Sequence, residues 1–198
     1  MSALIPRLEL ADMRADLADY LRPRVARLKY LGELFKCAGH APGVLLAFIH
    51  LTDELKNALP DKLTEVAVLT TASLMENLYE RNQHERLCIR LGYSAEWIAE
   101  VEKLDPDKAQ LMGDEEREVQ RYVLAAMKTR ALQAQSEFAA MARRLGPSQS
   151  MALVMLVGRY ITHALTVNTL GLAPPVPSIF EDGFRGDGAP AKDAAQGR

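Results

Sequence analysis

Cysteine is scarce in this sequence, with only Cys37 and Cys88 among 198 residues. Two cysteines cannot build a disulfide framework, and neither belongs to a C-x-x-C pair, so their usage points to a reducing compartment. Net charge is scarce too. Twenty-four basic and 26 acidic side chains leave a formal charge of −2, which gives no sequence-wide attraction to nucleic acid or to an anionic membrane. The basic cluster Arg22, Arg24, Arg27 and Lys29 follows directly on Asp12, Asp16 and Asp19 and reads as a solvated face. Strand signals are nearly missing, with no Asn-Gly turn and no sustained period-2 alternation of β-branched residues. The longest uncharged run, residues 160 to 180, is interrupted by His163, Asn168, Pro174, Pro175 and Pro177, which makes it poor material for a bilayer span. The opening MSALIPRLELADMRADL lacks a basic region followed by a long apolar core, so no signal peptide is expected. These absences together lead to the expectation of a soluble, cytoplasmic protein whose partner is a small molecule or another copy of itself.

What is present is helical. A hydrophobic content of 48% suffices for one core in one domain. The pattern predicts an all-α fold, with a short helix around residues 9 to 20 and then a helix reaching Phe35 with Pro23 near its start. Pro42 opens a helix that stops at Pro60, and Asp61 reads as the cap of the next. A bend near Glu76 and Asn77 leads into a helix ending at Gly92, and Ser94 caps a short one after it. Asp114 is expected to cap EEREVQRYVLAAMKT, and Gly146-Pro147-Ser148 separates a helix over about 132 to 145 from the apolar QSMALVMLVGRYITHALTVNTL. The last helix is apolar all round, so it belongs in a core or a subunit interface. Residues 1 to 173 read as a single domain, and 174 to 198, rich in Pro, Gly and Ala, as a loose tail.

The stretch NLYERNQHERLC carries Glu80, His84 and Cys88, each four residues after the last, which stacks them on one helix face. Leu87, Cys88 and Leu91 mark an apolar stripe that extends back to His84 and Glu80, whereas Arg81, Glu85, Arg86 and Arg90 mark a charged side. The carboxylate and imidazole are therefore expected to point inward, where desolvation and mutual attraction shift their pKa values in different directions. An ordinary i, i+4 ion pair worth roughly 0.3 to 0.5 kcal/mol fits the same periodicity. Spacing alone leaves both readings open.

Residues 63 to 104, LTEVAVLTTASLMENLYERNQHERLCIRLGYSAEWIAEVEKL, resemble the carboxymuconolactone decarboxylase family, relatives of the alkylhydroperoxidase D-like proteins. ALVMLVGRYITHALTVNTLGL is similar to that family's closing helix, with Gly158, Tyr160, Asn168 and Gly171 in matching places. The resemblance implies an alkylhydroperoxidase D-like helical bundle, a carboxymuconolactone decarboxylase-like domain, and assembly as a homotrimer or homohexamer. The redox branch of the superfamily carries a Glu, a Cys-x-x-Cys pair and a His, and the same spacing here reads Glu65, Asn77, Glu80, His84. Both cysteines are replaced, which argues against peroxide reduction through a thiolate and a resolving thiol.

In the decarboxylase branch the resemblance implies loss of carbon dioxide from an unsaturated lactone and protonation at the α-carbon, with no metal or organic cofactor required. Glu80 and His84 are then the acid–base pair, and Glu65 orients His84 or joins the relay. Asn77, Tyr79 and Tyr160 are the substrate-binding candidates. Arg81 is a weaker one for a substrate carboxylate, with the solvent-facing reading ahead of it. His163, among apolar residues, reads first as a core histidine. His40, His50, Glu65, Glu80, His84 and His163 show no compact ligand spacing, so no metal site is assigned. Cys88 and Cys37 read as buried structural thiols, with a lone-cysteine antioxidant and a non-catalytic oligomeric binding protein as the alternatives to the lyase.

Overall fold

The computed structural model describes residues 5–181 and 184. Its elements are a short 3-10 turn, Leu10–Asp12, followed by α1 (Ala15–Leu28), α2 (Glu33–Ala38), α3 (Pro42–Ala58), α4 (Asp61–Leu74), α5 (Leu78–Arg90), α6 (Ala95–Glu102), α7 (Asp114–Thr129) and α8 (Gln135–Thr169). No strand occurs among the described residues.

Helix α4 forms the centre. All ten residues from Leu63 to Ala72 are buried, the signature of a helix covered on every side. It is enclosed by α5, α6, α7 and α8, while α3 lies along α8. The main core draws Leu69 from α4, Ile98 from α6, Val119 and Val123 from α7, and Leu153 and Leu156 from α8. A smaller cluster, with Leu17 and Leu21 facing Leu45 and Ile49, fixes α1 on α3. That contact brings the N-terminal helix to the edge of the site described below.

Several boundaries differ from the sequence reading for local reasons. Pro23 is not an early helix residue: it lies inside α1, which runs on to Leu28 and ends at Lys29 in a left-handed conformation. The N-caps of α4 and α7 are Pro60 and Gly113, so Asp61 and Asp114 instead occupy the first turns, where carboxylates complement the helix dipole. Ser94 does cap α6, accepting the Trp97 N–H. Gly146 breaks α8 with φ 74° and ψ 173°, values open chiefly to glycine, and Pro147 follows without an N–H to continue the ladder. By length and composition α8 is apolar enough to cross a bilayer. Its burial against α3, α4 and α7 accounts for that apolarity as core.

Two expectations about the back of α5 are overturned together. Glu85, assigned to the charged solvent side, is fully buried. The cover is the start of the tail, which is docked rather than loose through residue 181. Asn82 donates to the Val176 carbonyl and Arg86 to that of Pro177, while the Ser178 hydroxyl and the Ile179 N–H both donate to Glu85 Oε2. Residues 182–183 and 185–198 of the expected tail lie outside the described residues.

Candidate active site

The α4–α5 turn sets the geometry. Glu76 adopts a left-handed conformation (φ 50°), and Asn77 caps α5 by accepting the Glu80 N–H on Oδ1 at 3.2 Å. With α5 anchored there, Glu80, His84 and Cys88 all turn inward and are buried, the row anticipated from the i, i+4 spacing.

His84 bridges two carboxylates. Its Nδ1 lies 2.6 Å from Glu65 Oε2, across from α4, and its Nε2 lies 3.1 Å from Glu80 Oε2 and 3.0 Å from the Tyr160 hydroxyl. The other oxygen of Glu80, Oε1, lies 2.6 Å from His163 Nε2. The Asn77 amide is oriented by its cap bond, so Nδ2 donates to His163 Nδ1 at 3.3 Å. That bond makes Nε2 the protonated nitrogen of His163, donating to Glu80. The result is one continuous row across three helices, from Asn77 through His163, Glu80 and His84 to Glu65.

Burial and partners compete over these groups. Burial disfavours the charged His84 imidazolium, but the Glu65 carboxylate, through charge and hydrogen bond, and then Glu80 outweigh it and push the pKa up to about 9. Burial also disfavours the Glu80 carboxylate, yet attraction and hydrogen bonds from His163, together with the His84 bond, hold it well below the usual range. At neutral pH the centre is an imidazolium beside a carboxylate. Burial raises the Tyr160 phenol, against the opposing charge of Arg159, and raises Tyr79 to about 12.

This row forms one wall of a cavity of about 220 Å³. Tyr79, Glu80 and His84 from α5, Tyr160 and His163 from α8, and Thr52 and Lys56 from α3 line it. Arg24 and Arg27 of α1 line it too; Arg24 is half-buried there, which corrects its reading as part of a solvated face, whereas Arg27 is exposed as that reading expects. Of the substrate-binding candidates, Tyr79 and Tyr160 reach the cavity, whereas Asn77 is spent on the helix cap and on His163. Arg81 pairs with Glu85 on the other side of α5. Glu65 stands behind His84 as its orienting carboxylate.

His163, read first as a core residue, is buried and also a member of the row. Lys56 and Arg159 were missed altogether. Arg159 was legible in principle as the lone cation in the apolar run LVGRYITHAL, but nothing in the chain marks Lys56 before α3 is laid along α8. Cys88 is buried with Sγ 3.7 Å from Glu65 Oε2, and burial followed by the Glu65 charge raises its thiol far above the ordinary value. It does not line the cavity.

No protein-family model and no curated protein matches this sequence. Solved structures do match. The alkylhydroperoxidase AhpD core of a peroxidase-related protein from Ralstonia eutropha JMP134 superimposes with a TM-score of 0.73 at 19% identity, covering 85% of this chain and 90% of that one. A protein of unknown function from Agrobacterium tumefaciens, offered as a candidate antioxidant defence protein AhpD, gives 0.63 at 15% identity, with 71% and 96% covered. The debrominase Bmp8, as a cysteine-to-alanine variant holding 2,3,4-tribromopyrrole, gives 0.71 at 15% identity, with 87% and 92% covered. The chain therefore has the AhpD-like all-α fold, as the sequence resemblance implies.

Proposed function

We propose that this chain is a cytoplasmic acid–base enzyme, a lyase that decarboxylates or moves a proton on a small carboxylated, lactone-type metabolite. The observation that carries the reading is the clamp on His84. An imidazole held between Glu65 at 2.6 Å and Glu80 at 3.1 Å keeps its proton at neutral pH, yet faces the cavity beside a phenol. Such a group is a proton donor in its resting state.

In a decarboxylation, the bond from carbon to the carboxylate breaks and carbon dioxide leaves. The electron pair delocalises through the ring onto the lactone oxygen, and one proton adds at the α-carbon. Here His84 delivers that proton, the Glu80 carboxylate stabilises the imidazolium and so favours its return to the charged state, and the Tyr160 hydroxyl donates to the developing oxyanion. Glu80 and His163 extend the hydrogen-bonded row through which His84 regains a proton. The debrominase Bmp8, of the same fold, holds a small planar heterocycle, and the cavity volume here suits a ring of that class. Assembly as a trimer or hexamer belongs to the same reading, since Met151, Met155 and Leu165 are exposed along one face of α8.

The thiol-dependent alternative has little support. A thiolate nucleophile needs a lowered pKa and access, and Cys88 has neither. The test is turnover of a panel of carboxylated lactones, beginning with 4-carboxymuconolactone, by the wild type and His84→Gln. Turnover lost in the variant supports the reading. Turnover that survives it removes His84 from the chemistry.

A further inference from the structure

The cavity carries a second set of charged groups that the proton-transfer row does not use. Arg24 comes from α1, Lys56 from α3 and Arg159 from α8. Arg159 donates from Nε to the Thr52 hydroxyl at 2.9 Å, and its guanidinium lies 4.2 Å from the Tyr160 ring centre and 4.7 Å from that of Phe48. Its Nη1 is buried with no hydrogen-bond partner. Arg24 stacks on Phe35, and neither it nor Lys56 pairs with a carboxylate among the described residues. The one carboxylate in the cavity wall among the described residues, Glu80, is already engaged by two imidazoles.

An unfilled guanidinium N–H shielded from water is unfavourable unless a ligand takes it up. Arg27 and Arg90 line the same cavity, so five Arg and Lys side chains there face one carboxylate among the described residues, Glu80. Lys56 is exposed, yet loss of solvation at the cavity mouth lowers its ammonium pKa, and although Glu65 opposes this, Arg159 and Arg24 add to it. We infer that Arg159, Lys56 and Arg24 form an anion subsite, which holds a carboxylate or phosphate group of the molecule presented to His84. Arginine suits the task because its parallel N–H groups grip two oxygens of one anion, and lysine adds a point charge. Arg159 immediately precedes Tyr160, whose hydroxyl touches His84 Nε2. An anion on Arg159 therefore leaves the rest of a small molecule against the proton donor. The choice of which group is presented rests on the proposed function, but the binding itself does not.

The test is calorimetric titration of the full chain with malonate and, separately, with inorganic phosphate at fixed ionic strength. The variants are Lys56→Gln, Arg159→Gln and, as a charge control away from the cavity, Arg143→Gln. At least one probe should saturate in the wild type and weaken roughly tenfold or more in both cavity variants, the loss of one charge-assisted contact, while Arg143→Gln binds as wild type. Tighter malonate assigns the subsite to a carboxylate, and tighter phosphate to a phosphoryl group. Arg159 packs on two rings, so Lys56→Gln at the exposed mouth decides if Arg159→Gln misfolds, with Lys56→Arg restoring affinity. No saturation by either probe in the wild type, or equal affinity in Lys56→Gln, overturns the subsite. Lys56-dependent binding together with turnover that survives in His84→Gln would leave the subsite standing and remove the proposed chemistry; the reverse pattern would do the opposite.

Discussion

Oε1 of Glu80 lies 2.6 Å from His163 Nε2 while its Oε2 lies 3.1 Å from His84 Nε2, so one carboxylate joins two imidazoles from different helices. Both rings line the cavity, so His84 is thereby tied to a second ring in the same wall. In the proposed chemistry, proton transfer at His84 then runs along this pair of bonds rather than through one residue alone. His163→Gln should therefore slow turnover by a smaller factor than His84→Gln, for which a loss of roughly 10²–10⁴-fold is expected of a general acid. Steady-state rates on a confirmed substrate compare the two, and equal losses would mean that the rings act as one unit.

The His84 proton sets an alkaline limit. Because its pKa is pushed up to about 9 by Glu65 and Glu80 against burial, activity that needs the imidazolium should fall as pH rises through that value. Glu65→Gln removes the strongest attraction and should draw this limb down by roughly 1–3 pH units. The stability effect has the same sign. A group whose folded pKa lies above its unfolded one contributes fully below about 6.5, and that contribution is lost as pH rises through about 9. A ring-carbon NMR titration of His84 in both proteins reads the shift directly, and an unchanged midpoint in Glu65→Gln would show that Glu65 does not hold the proton.

Cys88 should behave as a packed side chain. Native protein is expected to resist thiol reagents at this position, and the Cys37→Ala/Cys88→Ala double variant should keep its turnover. Cys88→Ala should cost about 1 kcal/mol in urea unfolding, the scale of a small buried group removed from a packed core. Hydroperoxide consumption with a thiol reductant that disappears in the double variant would reverse this reading.

The elements that the sequence made legible are those whose signals are local. The i, i+4 row, the bend at Glu76 and Asn77, the Ser94 cap and the break at Gly146 each depend on residues within one or two turns. What escaped depends on partners far along the chain. His163 looked like core because its neighbours are apolar, and it is core, but it meets Glu80 only when α8 crosses α5. Arg24 looked solvated beside its acids, yet packing of α1 on α3 turns it to the cavity. Glu85 was put in water because the segment that covers it, Val176 to Ile179, comes more than 90 residues later. No helical wheel contains that information.

Gly146 should be costly to replace. At φ 74° and ψ 173° a side chain meets no neighbouring atom but forces a backbone conformation that L-residues disfavour. Gly146→Ala should lose about 1–2 kcal/mol, read as a lowered thermal midpoint. An unchanged midpoint would mean that the break in α8 relaxes without cost.

The docked segment behind α5 offers a separate pH response. Glu102 is pushed up to about 8, by burial first and then by the neighbouring Glu85 charge, with Arg81 only partly offsetting it. Glu85 is the acceptor for Ser178 and Ile179, so a proton on Glu102 spares the segment's anchor a second buried negative charge. Glu102's pKa is raised on folding, so its contribution is complete below about 4.5 and is lost as pH rises through about 8. Glu102→Gln keeps the packing without the charge and should flatten the decline in urea midpoint over that interval. Ser178→Ala should instead cost about 1–3 kcal/mol at every pH, since it deprives a buried carboxylate of a donor. If Glu102→Gln declines with pH as the wild type does, the proton lies elsewhere, and the anchor of the segment is insensitive to it.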